Sequence, residues 1–192
     1  THAEIEVQEV SAPKYPSNWR KTQTITISYG HGIAASPLQV ANAFAAVVNG
    51  GIYRPATLVK RDPTAPLHDG NRVISEQTSI KVRKMLDHVV REGTGGNAGA
   101  EGYRVGGKTG TADKPSRGAY NEDARIATFL GAFPIEDPKY VLLVMVDEPL
   151  PQEYTNGYAT GGWVAAPAFK RIVERTAPIL GIEQILPAEE SD

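Results

Sequence analysis

The sequence predicts an α+β fold, an antiparallel sheet flanked by helices, and three observations carry that prediction. Tyr140-Val141-Leu142-Leu143-Val144-Met145-Val146 is an apolar run of strand length, which reads as a central strand covered on both faces. Asp137-Pro138 marks a tight turn between that run and the strand-like residues 127–133, leaving no room for a parallel crossover. Helix-start signatures open at Ser36 and at Ser75.

The elements follow in order. Residues 1–20 form a loop-rich lead-in with Pro13, Pro16 and one short extended piece at 5–10. Residues 24–29 have strand propensity. Ser36-Pro37-Leu38-Gln39 then combines an N-cap, a proline in the first turn and a capping-box glutamine. The helix it opens is apolar nearly all round, hence expected to be buried, and Asn49-Gly50-Gly51 stops it. Residues 52–60 read as a strand pair or extended segment, followed by a turn-rich stretch with Pro63, Pro66 and Asp69-Gly70. Ser75 caps a second helix whose apolar positions Ile80, Met85, Leu86, Val89 and Val90 recur at three and four residues, and Gly93 ends it. Strands are predicted at 103–112, 127–133 and 140–146, with a polar loop at 113–124. A last helix, roughly 164–180, places Phe169, Ile172, Val173, Thr176 and Leu180 on one stripe.

Composition narrows the function classes. A chain of 192 residues with 41% hydrophobic content supports one core, which at this size buries roughly 70% of the unfolded surface. Its 20 basic and 22 acidic residues are spread along the chain, so no electropositive face for nucleic acid is expected. Without cysteine there are no disulfides and no thiolate metal sites. No apolar run reaches the ~18 residues of a membrane span, and Thr1-His2-Ala3-Glu4 opens neither a signal nor a transit peptide, so a soluble chain is expected. With an opening that lacks methionine, the chain is expected to be a processed product or a cut fragment.

The chemistry concentrates at Gly102-Tyr103-Arg104-Val105-Gly106-Gly107-Lys108-Thr109-Gly110-Thr111. Gly102 to Thr109 satisfies the letters of a nucleotide-binding P-loop. That motif needs a strand before its first glycine and a helix starting at its Lys-Thr. Here a glycine-rich loop precedes it, and Gly110 and Pro115 oppose a helix after it. Read as a strand, the stretch makes chemical sense. Gly106, Gly107 and Gly110 leave an edge bare for an extended peptide to add to. Lys108 supplies a positive charge, Thr109 and Thr111 hydroxyls for a carboxylate, and the Thr111 amide a donor to a developing oxyanion. A glycine-rich edge strand with a surface lysine is the bland alternative on the triplet alone.

Lys108-Thr109-Gly110-Thr111-Ala112 occurs with Ile27-Ser28-Tyr29-Gly30-His31-Gly32-Ile33, Ser36-Pro37-Leu38-Gln39, Asn49-Gly50-Gly51-Ile52-Tyr53-Arg54-Pro55 and Ala165-Ala166-Pro167-Ala168-Phe169. Together, over about residues 15–182, these resemble the class B penicillin-binding proteins, nearest to the division-specific type that cross-links septal peptidoglycan. The resemblance implies the penicillin-binding-protein and serine β-lactamase transpeptidase fold, with the site along one edge strand. It implies a serine that attacks a D-alanyl-D-alanine stem peptide and passes the acyl group to a neighbouring stem, with β-lactams acylating the same serine. Lys108, Thr109, Gly110 and Thr111 then correspond to the family's third motif. Thr109 and Thr111 bind the terminal carboxylate, Arg104 is a substrate-binding candidate that adds positive potential near the cleft, and Tyr120, Tyr158 and Gly161 are further substrate-binding candidates at its rim. No metal, nucleotide or other cofactor is implied.

Two family motifs, a Ser-x-x-Lys and a Ser-x-Asn, should precede this region and do not. Ser11-Ala12-Pro13-Lys14 fits the letters of the first, but Pro13 and Pro16 oppose the helix that would place its lysine. Ser17-Asn18 has the wrong spacing for the second. The expected organisation is a lead-in at 1–20, the C-terminal portion of the transpeptidase domain at 21–182 and an acidic tail at 183–192. The isolated chain is then expected to be inactive, with an exposed edge at 140–146. The expected parent faces the periplasm from the bacterial inner membrane, anchored by an N-terminal segment outside this chain, and meets division proteins there. The competing class is a non-catalytic module of the same fold that recognises peptidoglycan or division partners. His31 is expected to pack rather than act as a base, since no serine and acid accompany it. His2, His68 and His88 lack metal-ligand spacing.

Overall fold

The computed structural model describes residues 5–6, 12–62, 64, 66, 70–116 and 119–185, with the side chains of 115–123 outside that description. Helices α1 (Lys21–Ser28) and α2 (Pro37–Val48) lead to the two-residue strands β1 (Ile52–Tyr53) and β2 (Asn71–Arg72), which pair antiparallel. Helix α3 (Glu76–Glu92) precedes the main sheet of β3 (Gly106–Ser116), β4 (Ala119–Phe133) and β5 (Tyr140–Asp147). A π-helical turn, Gly161–Ala165, opens α4 (Ala166–Thr176).

The main sheet is antiparallel in the order β3-β4-β5, as the turn at 137–138 implied. Phe129 and Phe133 of β4 carry the larger core cluster, where Phe169 of α4 meets Phe129 edge-on with ring centroids 4.8 Å apart. Ala132, one residue out of that phase, joins Val48 of α2 and Leu86 of α3 in the second cluster. Alternation along one strand thus feeds two layers of helices. Gly131 is required by this packing, because a Cβ there meets the Phe169 ring at 2.6 Å.

Both predicted caps are present. The Ser36 hydroxyl accepts from the Gln39 N–H while the Gln39 side chain accepts from the Ser36 N–H, and the Ser75 hydroxyl accepts from the Thr78 N–H. Gly93 ends α3.

Several expectations need correction. Residues 24–29 are largely helical, because the hydroxyls of Thr24, Thr26 and Ser28 bond back to carbonyls one turn earlier and Trp19 holds Thr24 at 2.9 Å. Helix α2 is not covered all round: Leu38 and Val40 are each 39% exposed, with Ala46 and Val48 as its buried positions. Only Ile52 and Tyr53 form strand within 52–60. β5 is not covered on both faces, Met145 being exposed, although it does lie at the sheet's edge as expected for this chain, with no further strand on its outer side among the described residues. Residues 113–116 and 119–124 continue β3 and β4 instead of forming a polar loop. The buried stripe of α4 is Ala166, Phe169 and Val173, continued by Ala177, which turns Ile172 and Leu180 outward. No helix among the described residues is long and apolar enough to cross a membrane.

Candidate functional site

Lys108, Thr109, Gly110 and Thr111 lie within β3, opposite Leu130, Phe129, Thr128 and Ala127 of β4. The Lys-Thr pair therefore sits mid-strand and heads no helix, which removes the P-loop reading. Among the described residues β3 has no strand on its other side, so alternate backbone groups face outward, the geometry an extended ligand can pair with.

Thr109 and Thr111 are two residues apart and share a face. Together with Thr94, Asn97, Thr160 and Trp163 they line a cleft of about 500 Å³. Each hydroxyl oxygen has a neighbour that can donate to it. The Gly161 N–H donates to Thr111 Oγ1 at 3.1 Å. The Lys108 ammonium lies 3.4 Å from Thr109 Oγ1 and 3.0 Å from the Thr109 carbonyl. A hydroxyl that accepts in this way keeps its own O–H for something else. Two such O–H groups beside an ammonium suit a carboxylate.

The glycines serve the scaffold, not a bare edge as the sequence suggested. A Cβ at Gly106 meets Ile135 at 2.5 Å, at Gly107 Phe129 at 2.6 Å, and at Gly110 the Thr128 hydroxyl at 2.4 Å. Gly161 presses on the same sheet, its hypothetical Cβ being 2.2 Å from the Thr128 carbonyl and 2.5 Å from that of Gly110.

The remaining predicted residues divide. Tyr158 stands exposed and stacked on Trp163, with centroids 5.7 Å apart, beside the cleft. Arg104 is not at the cleft: it is bound to Asp87 and Glu136, each at 2.9 Å. Its hydrogen bond to Asp87, reinforced by Glu136 against partial desolvation, raises its pKa above the ordinary guanidinium value. The Tyr120 side chain lies outside the described residues, its backbone pairing with Pro115. Lys14 forms an isolated antiparallel bridge with Ala34 and so lies in extended chain rather than in a helix, while Ser11 lies outside the described residues. His31 stacks on Tyr29 at the surface.

Sequence reasoning missed Thr94, Asn97 and Trp163. Thr94 Oγ1 lies 3.1 Å from Thr109 Oγ1, and Asn97 Nδ2 donates to the Gly162 carbonyl at 2.9 Å. The available signal was two polar side chains in an otherwise small, glycine-rich run at 93–99.

Comparison with known proteins bears on this geometry. The family model described as the penicillin binding protein transpeptidase domain matches residues 2–174. The probable peptidoglycan D,D-transpeptidase FtsI of Caulobacter vibrioides is 39% identical over 191 residues, covering 95% of this chain and 32% of that protein. Stage V sporulation protein D of Bacillus subtilis is 41% identical over 171 residues, 82% of this chain and 25% of its own length. Among solved structures, the apo transpeptidase domain of Burkholderia pseudomallei penicillin-binding protein 3 superposes with a TM-score of 0.85 at 37% identity, over 96% of this chain and 55% of that one. Penicillin-binding protein 3 of Mycobacterium tuberculosis complexed with ampicillin gives a TM-score of 0.82 at 28% identity, over 99% of this chain and 45% of that one. The chain thus spans a third or less of these two relatives and about half of these two solved chains.

Proposed function

Because the chain belongs to the penicillin-binding-protein transpeptidase family, we propose that it forms the C-terminal part of a serine D,D-transpeptidase that cross-links peptidoglycan stem peptides in septal cell-wall synthesis and is acylated by β-lactams. One observation carries the proposal: the hydroxyls of Thr109 and Thr111 line one cleft on an open strand edge, each beside a donor that can fill a lone pair.

In the proposed reaction an extended D-alanyl-D-alanine terminus lies along the free edge of β3. Its carboxylate accepts hydrogen bonds from Thr109 and Thr111, and the Lys108 ammonium adds positive potential. The nucleophilic serine and its lysine come from a part of the parent outside this chain. The serine oxygen attacks the penultimate carbonyl, the C–N bond breaks, and D-alanine leaves as the amine with the transferred proton. The Thr111 amide donates to the oxyanion of that step. A neighbouring stem's amine then attacks the ester and returns the serine. Gly110 keeps the strand flat against Thr128, Gly161 acts through Thr111, and Tyr158 belongs to the rim. The parent works at the periplasmic face of the inner membrane, held by an N-terminal anchor and meeting division proteins there, a setting supported by relatives named as FtsI.

Intact-mass measurement after incubation with benzylpenicillin tests the proposal. The full-length parent is expected to gain one penicilloyl group and this chain none. A stoichiometric adduct on this chain overturns the assignment of its residues.

A further inference from the structure

We propose that Thr94 is a positioning residue that sets the direction of the Thr109 hydroxyl, so that the Thr109 O–H is presented to the ligand's carboxylate. The inference rests on the function proposed above.

Thr94 Oγ1 lies 3.1 Å from Thr109 Oγ1, and either oxygen can be the donor. The Lys108 ammonium only donates, so with respect to it the Thr109 oxygen is an acceptor. When Thr94 also donates, both Thr109 lone pairs are occupied, and its single O–H points away from both neighbours toward the cleft. When Thr109 donates to Thr94 instead, it has no proton left for a ligand. A carboxylate, which only accepts, selects the first arrangement. Without the Thr94 hydroxyl, the Thr109 rotor loses the partner that favours it.

Thr94 is well placed for this role because its backbone is held on both sides. The N–H groups of Gly93 and Gly95 both donate to the Val89 carbonyl, at 3.1 and 3.0 Å, in the last turn of α3. A Cβ at Gly95 approaches Phe129 to 3.2 Å, which fixes the loop against the core. The Thr94 carbonyl faces Gly162, where a Cβ comes within 2.6 Å of it. The side chain is thereby carried to the cleft wall on a rigid support, fifteen residues before its partner.

The test uses the full-length parent and the rate of acylation by benzylpenicillin and by its methyl ester, which lacks the carboxylate charge. Thr94→Val is expected to lower the second-order rate constant for the acid about tenfold while leaving the ester nearly unchanged, so the acid-to-ester preference falls about tenfold. Thr94→Ser, which keeps the hydroxyl, is expected to restore the preference. Should the valine variant not fold, Thr94→Ala replaces it under the same criterion. An equal slowing of acid and ester, or an unchanged preference, overturns the positioning role while the wild-type adduct upholds the proposed function. A wild-type parent that forms no adduct overturns both.

Discussion

The backbone N–H of Gly161 donates to the Thr111 hydroxyl at 3.1 Å, tying the turn that opens α4 to the strand that carries the site. No side chain fits at that position, since a Cβ collides with the carbonyls of Thr128 and Gly110. Gly161→Ala is therefore expected to push the turn off β3, to cost about 1–3 kcal/mol of stability and to slow β-lactam acylation of the parent. Urea unfolding and labelled-penicillin tagging check the two effects, and a variant of wild-type stability contradicts the packing described.

Phe169 is fully buried and touches the rings of Phe129 and Phe133. Its ring also fills the space that Gly131 leaves open. Phe169→Ala is expected to cost about 3–5 kcal/mol, because both glycine and alanine then face a void that the β-strand cannot close. Equilibrium denaturation reads the loss directly.

Lys114 lies 2.8 Å from Glu148 and 2.9 Å from Asp147, and its hydrogen bonds, to Glu148 first and Asp147 next, raise its pKa above the ordinary lysine value. A raised folded-state pKa means the folded chain binds the proton more tightly than the unfolded one. Its stabilisation is therefore fully present below the unfolded value of about 10.4 and is lost as pH climbs through the folded value. Stability measured across that alkaline range is expected to fall less steeply in an Asp147→Asn/Glu148→Gln double variant. An equal slope contradicts the assignment.

The parts of the fold legible in the sequence were those governed by local rules. The two serine caps and the antiparallel order of the last three strands rest on short-range chemistry that neighbouring residues supply. Helix α1 was not legible, because strand propensity ignores the hydroxyl back-bonds of Thr24 and Thr26. The extension of β3 and β4 past Asp113 was missed for a different reason. The backbone ladder there runs through Lys114, Pro115, Tyr120 and Asn121, with Arg125 paired to Asp113 at its base and Lys114 to Asp147 of β5, a stretch with no apolar alternation to read. Lys108 to Thr111 stood out as one contiguous string. Thr94 and Asn97 did not, since their partners lie 15 and 65 residues away and only the folded chain brings them together.

The most direct measurement is the second-order rate constant for benzylpenicillin acylation of the full-length parent and of its Thr109→Val/Thr111→Val variant. Removing two hydroxyls that bond one carboxylate is expected to lower that constant by about a hundredfold or more, with the folded state intact by circular dichroism. A folded double variant that acylates at the wild-type rate contradicts a carboxylate held at the edge of β3.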